Sequence, residues 1–220
     1  MNATVVAYDP RGYGDSVPLL GSGTPRSPNT ITTTTILDHL YDGERVMEYV
    51  QRQDWEGLPV YVWGHSLGGP QAMHLAKRFS PLVSGVILES TFPSLEDAAC
   101  DYPILFPLWW LPRPPRLTLV RKCLDLCTQG QLKHFNTVEL LTKGEGSSSD
   151  FNNLKILVLH GSGDLQLPCS FAGVIGAAAT SSALVKGRVK VHVVRGGGHS
   201  NLHVDFQEEL EGVLTEWLKI

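Results

Sequence analysis

The 220-residue sequence predicts an α/β domain built on a mostly parallel sheet with helices on both faces. Short apolar runs rich in Val, Ile and Leu alternate with segments of helical periodicity, the pattern of a parallel sheet covered by helices. Most of the runs are apolar at successive positions, as strands buried on both faces require. The residues with reactive side chains follow the carboxyl ends of these runs, where parallel sheets carry their chemistry.

Thr4-Val5-Val6-Ala7-Tyr8 reads as a buried strand closed by Asp9-Pro10 and the turn signals Gly12 and Gly14. Residues 16–35 form a loop rich in Pro, Gly, Ser and Thr. Ile36, Leu37, Leu40, Met47 and Val50 recur at helical spacing, giving a helix over 36–53. A strand over 59–63 meets a helix over 69–79 with almost no connection, and 83–88 is the next strand. Residues 91–153 carry no alternating pattern and are rich in proline and aromatics. Ile156-Leu157-Val158-Leu159 restores a buried strand, a helix starts near Pro168, and Val189, Val191 and Val193 alternate as a strand. Phe206, Leu210, Val213, Leu214 and Trp217 mark a closing amphipathic helix. The whole reads as one domain, 1–220, with an insertion over 92–153.

Composition narrows the function. A net charge of -4 gives no electrostatic footprint for nucleic acid. Cys100, Cys123, Cys127 and Cys169 lack the density of a disulfide scaffold and read as reduced thiols. The eight histidines show no zinc-ligand spacing, and Gly12-Tyr13-Gly14 lacks the third glycine of a dinucleotide fingerprint. Neither a metal nor a cofactor is expected. The most apolar long stretch, 102–120, is interrupted by five prolines and two arginines and cannot span a membrane. No targeting segment is visible, so the compartment stays open, as does the oligomeric state.

The chemistry centres on Trp63-Gly64-His65-Ser66-Leu67-Gly68-Gly69. A strand that turns directly into a helix forces the connecting residue into a strained conformation, and Gly64 and Gly68 are expected to allow the close approach. This Gly-x-Ser-x-Gly arrangement is a nucleophile elbow, which lifts a serine hydroxyl above the sheet at a helix N-terminus. Such a serine needs a base, and the base needs an orienting acid. Asp164 follows one strand in His160-Gly161-Ser162-Gly163-Asp164, and His199 follows the next in Gly196-Gly197-Gly198-His199. Both stand in the chain order Ser, acid, His. Glu89, also at a strand end, is the rival acid, and His203 the rival base. His65 lies inside the elbow and reads as wrongly directed for a base.

With these segments, and with Asp9-Pro10-Arg11-Gly12-Tyr13-Gly14-Asp15-Ser16 and Ile87-Leu88-Glu89-Ser90-Thr91-Phe92, the chain resembles the α/β-hydrolase superfamily. Within it the chain is similar to the monoacylglycerol lipase and lysophospholipase group and its Bem46-like relatives. The resemblance implies an α/β-hydrolase fold with a lid-like insertion. It implies Ser66 as nucleophile, His199 as general base and then acid, Asp164 as orienting acid and the Leu67 N–H as an oxyanion donor. The implied reaction is hydrolysis of a small lipid-like ester through an acyl-enzyme. A protein-acyl thioesterase or peptidase of the same fold is the first alternative, and an inactive hydrolase-like binding protein the second.

Phe106, Leu108, Trp109, Trp110 and Leu111 would offer an acyl-chain surface in the lid, which is also the candidate for peripheral membrane contact. Arg113, Arg116, Arg121 and Lys122 suit either an anionic headgroup or a solvated charge run. The resemblance also implies earlier strands, and a loop carrying a second oxyanion donor, ahead of Thr4. The chain is therefore expected to be amino-terminally incomplete, with one sheet edge bare.

Overall fold

The computed structural model describes residues 3–16, 36–55, 57–103, 110–128, 130–143, 154–182, 185 and 189–219. They fall in two compact units, 1–56 and 57–220. In the first, helix α1 (Ile36–Gln51) matches the predicted helix with a slightly earlier end. Arg11 forks onto the Asp42 carboxylate, with Nε to Oδ1 at 2.9 Å, and pairs with Asp38 at 3.0 Å. The Arg-Gly turn is thus fastened to one face of its own unit's helix.

Residues 3–8 are exposed and form no strand, contrary to the sequence reading. An apolar run becomes a strand only where a neighbour supplies ladder partners, and these residues have none among the described residues. Most of the predicted 16–35 loop lies outside the described residues.

The second unit holds a four-stranded, all-parallel sheet in the order β1-β2-β3-β4. The strands are β1 (Val60–His65), β2 (Val83–Glu89), β3 (Lys155–Gly161) and β4 (Val189–Val194). The register Val62↔Val86, Val86↔Ile156 and Ile156↔Val189 sets the side chains in rows, alternate rows facing opposite sides. Helices α2 (Gly68–Arg78) and α6 (Ser170–Ser181) cover one side. There Ala72, Met73, Ala76, Ala172 and Ile175 are buried. The other side carries α7 (Leu202–Asp205) and α8 (Gln207–Lys219). Leu202, Leu210, Val213 and Trp217 join Ile87, Leu157, Leu159 and Val194 in one buried cluster.

The crossover from β2 to β3 contains helical structure that the sequence reading did not assign: α3 (Leu95–Asp101), α4 (Arg113–Thr128), a 3₁₀ turn (Gln131–Phe135) and α5 (Thr137–Thr142). Ser94 caps α3 by accepting from Asp97 N at 3.1 Å, and Asn136 caps α5 by accepting from Glu139 N at 2.8 Å. Pro114 and Pro115 sit in the first turn of α4, where no backbone N–H is required. Arg113 bridges Asp97 and Asp101, Arg116 reaches Asp101, and Arg121 reaches Glu96. These three arginines therefore tie α4 to α3. Of the expected lid aromatics, Phe106, Leu108 and Trp109 lie outside the described residues; Trp110 is exposed and Leu111 partly so. Among the described residues, no helix is long and apolar enough to cross a membrane. The four cysteines are free thiols, with Cys123 and Cys127 exposed one turn apart on α4.

Candidate active site

Ser66 stands at the end of β1 with φ of 51°, in the left-handed region that a residue with a Cβ avoids. The surroundings hold it there. Its N–H donates to Glu89 O at 2.8 Å, and its carbonyl accepts from Gly69 N at 3.0 Å and from Thr91 Oγ1 at 2.7 Å. Gly64 is required because a Cβ would run into the Gly68 carbonyl and Ala72. Gly69 is required because a Cβ would overlap the Thr91 side chain. Gly68, expected to be the second close contact, faces open space instead: the helix turns that position away from the strand.

The loops after β3 and β4 are stitched together. Ser162 N donates to Val194 O at 2.9 Å, Gly163 N to Gly197 O at 2.8 Å, and Gly196 N to Ser162 Oγ at 2.9 Å. This lacing brings Asp164 and His199, far apart in sequence, to the same sheet end as Ser66. His199 Nδ1 lies 2.7 Å from Asp164 Oδ2, and His199 Nε2 lies 3.1 Å from Ser66 Oγ. With a carboxylate on one side, Nδ1 carries the proton and Nε2 presents its lone pair to the serine hydroxyl.

The Asp164 side chain is fully buried. Burial by itself pushes its pKa up. Hydrogen bonds from the His160 and His199 rings, then from the Leu167 and Gln166 amides, outweigh that and hold the carboxyl well below the usual carboxylate range. The amides reach Oδ1 at 2.9 and 2.8 Å, and His160 Nε2 approaches Oδ2 at 3.2 Å. His160 itself is buried, its Nε2 also 3.2 Å from Leu167 O.

The other candidates stand elsewhere. Glu89 is buried at the end of β2, but its Oε2 accepts from Trp63 Nε1 at 2.8 Å. His203 is exposed on α7, and His192 pairs with Glu209 at 2.7 Å. His65, set aside as a base, directs Nε2 to the His199 carbonyl at 2.8 Å. The His65 bond has no local signature, because its partner follows another strand. The His160 contact is local, since Asp164 stands four residues further on, just past the same strand. Leu67 follows Ser66 at the start of α2, where N–H groups have no carbonyl one turn back to bind. Among the described residues, no group of three His, Cys, Asp or Glu side chains could hold a metal ion.

A cavity of about 480 Å³ opens beside Ser66 and His199. Its walls are almost wholly apolar: Leu67, Phe92 and Leu167 near the serine, and Leu119, Val120 and Leu124 from α4. A larger hollow of about 630 Å³ lies on α8, open to solvent, among Glu208, Glu211, Glu216 and Lys219. It shares no residue with Ser66, His199 or Asp164.

A strained serine between a parallel strand and a helix, with the acid in the loop after β3 and the histidine in the loop after β4, defines an α/β-hydrolase type of molecule. The chain belongs to the alpha/beta hydrolase fold family, whose match covers residues 2–126. It is 35% identical over 102 residues to the lysophosphatidylserine lipase ABHD12 of Macaca fascicularis, covering 45% of this chain and 22% of that protein. It is 25% identical over 201 residues to human protein ABHD12B, covering 90% of this chain and 48% of the relative. The chain thus spans about half the length of these curated relatives, or less. Among solved structures, the Pyrococcus furiosus esterase Pf2001 superposes with a TM-score of 0.57 at 15% identity, covering 86% of this chain and 63% of the esterase. Est1E from Butyrivibrio proteoclasticus gives 0.54 at 15% identity, covering 85% and 72%. These likenesses establish the shared fold.

Proposed function

We propose that the protein is a serine hydrolase of lipid-like carboxylic esters, of the monoacylglycerol or lysophospholipid type. The observation that carries the reading is a serine hydroxyl 3.1 Å from an imidazole nitrogen at the wall of an apolar cavity. Ser66 Oγ attacks the ester carbonyl carbon while its proton passes to His199 Nε2. Asp164 stays ionised, holds the Nδ1 proton and stabilises the imidazolium. The oxyanion forms at the start of α2, within reach of the Leu67 N–H. His199 then delivers its proton to the leaving alcohol. A water, activated by the same nitrogen, releases the acid. The acyl chain lies in the cavity, against the walls that α3 and α4 supply. The name of the ABHD12 relatives, lysophosphatidylserine lipase, supports a lipid ester at coarse resolution.

A fluorescent fluorophosphonate tests the chemistry. The protein should be labelled and the Ser66→Ala variant should not. A panel of lysophospholipid, monoacylglycerol, acyl thioester and amide substrates then tests the class. Folded protein that takes up no label would defeat the proposal. A clear preference for thioester or amide would leave the nucleophile standing and overturn the substrate.

A further inference from the structure

We infer that His65 is a positioning residue for the general base, holding the His199 backbone to the nucleophile's own strand. The inference rests on the serine hydrolase reading above. The His199 carbonyl can only accept, so the bond of 2.8 Å requires a proton on His65 Nε2. The two rings also meet edge-on, with centroids 5.0 Å apart and planes at 60°. One side chain therefore touches the base at both backbone and ring, and that side chain belongs to the residue immediately before Ser66.

The need for such a tie follows from what precedes His199. Gly196, Gly197 and Gly198 are three consecutive residues without a Cβ, and Gly196 sits at φ of 80°. A triple glycine can make the tight turn past Gly161, where a Cβ on Gly161 would run into the Gly197 carbonyl and one on Gly197 into the Leu202 side chain, but it does little to fix the residue after it. The loop is bonded on its amino side, through Gly163 N to Gly197 O and Gly198 N to Asn201 Oδ1. The His65 bond is the contact that falls on His199's own carbonyl. It fixes the distance from the backbone of the base to the end of β1, on which the serine stands. The imidazole must satisfy a 2.7 Å contact and a 3.1 Å contact at once. Displacements approaching 1 Å at a reacting group cost on the order of a hundredfold in rate.

The test compares His65→Phe, which keeps a ring and removes the donor, with His65→Gln, whose amide nitrogen can occupy the place of Nε2. The readouts are the second-order rate of fluorophosphonate labelling, kcat and KM on a short-chain ester, and thermal unfolding to show that each variant is folded. His65→Phe should slow labelling and lower kcat about 10- to 100-fold. KM should change little, and His65→Gln should recover at least a third of the parental rate. A ¹⁵N-histidine spectrum of the parent should show His65 as the Nε2–H tautomer, a readout independent of activity. His65→Phe at the parental rate, His65→Gln no faster than His65→Phe, or an Nδ1–H tautomer would each overturn the inference and leave the serine hydrolase reading intact. A parent that is folded, shows the expected tautomer and takes up no label would overturn both.

Discussion

Replacing Asp164 by Asn probes the candidate site at its most constrained atom. The carboxylate accepts four hydrogen bonds: amides of Gln166 and Leu167 on Oδ1, rings of His199 and His160 on Oδ2. An Asn carbonyl can keep the two amides, which leaves its NH₂ facing two ring nitrogens that both carried protons. His199 relieves this clash by moving its proton to Nε2, the nitrogen 3.1 Å from Ser66 Oγ. The base is then lost while the site keeps its shape. In serine triads that exchange costs about 10⁴ in kcat, or about 5 kcal/mol of transition-state stabilisation. The assay is kcat on a chromogenic short-chain ester together with fluorophosphonate labelling. Glu89→Gln serves as comparison, because Glu89 bonds Trp63 and not His199. Asp164→Asn should lose three to four orders of magnitude, and Glu89→Gln should stay within about threefold. If Asp164→Asn keeps a tenth of the activity while Glu89→Gln collapses, the acid has been misassigned and the tautomer reasoning fails.

Three further outcomes are expected. Gly64→Ala drives a methyl into the Gly68 carbonyl and Ala72, and should cost about 1–3 kcal/mol or more, read by denaturant unfolding. Leu124→Trp fills part of the cavity. Excluding two or three methylenes at about 0.8 kcal/mol each should cut kcat/KM for long-chain esters about ten- to fiftyfold and spare short-chain ones. Asp164 also makes stability depend on pH. Its folded pKa is depressed, so in acid the unfolded chain binds the extra proton, and the stabilisation is complete above the ordinary carboxylate value of about 3.9. It drains away as pH falls below that value. Unfolding measured from pH 6 down to 3 should therefore show a steeper acid loss for the parent than for Asp164→Asn.

The sheet was legible because it rests on local signals. Each of β1 to β4 is rich in β-branched or apolar residues, β1 and β3 close on Gly64-His65 and His160-Gly161, and each observed boundary lies within a few residues of the reading. Ser66, Asp164 and His199 were legible because strand ends in a parallel sheet converge, so chain order and position stood in for distance. Thr4 to Tyr8 misled because strand propensity is local while the ladder is not. The crossover helices were missed for a different reason. Proline argued against helix over 91–153, although Pro114 and Pro115 occupy a first turn that tolerates them. The caps Ser94 with Asp97 and Asn136 with Glu139 were readable signals that went unused. His65 could not be found from sequence, because it acts on an atom 134 residues away that only folding brings near. His160, four residues before Asp164, was within reach of a local reading.

The glycines around the site divide what evolution or a designer can alter from what is closed to change. At Gly64, Gly69 and Gly161 a single added methyl meets backbone or a fixed side chain. The machinery that would do the chemistry is therefore frozen at the scale of one carbon atom. The crossover between β2 and β3 is fastened to itself by arginine bridges and helix caps, and it supplies Leu119, Val120 and Leu124 to the cavity. It can lengthen, shorten or change its lining while the elbow keeps its shape. New substrates in such a molecule should arise by rewriting this one segment, and libraries aimed at altered selectivity belong there.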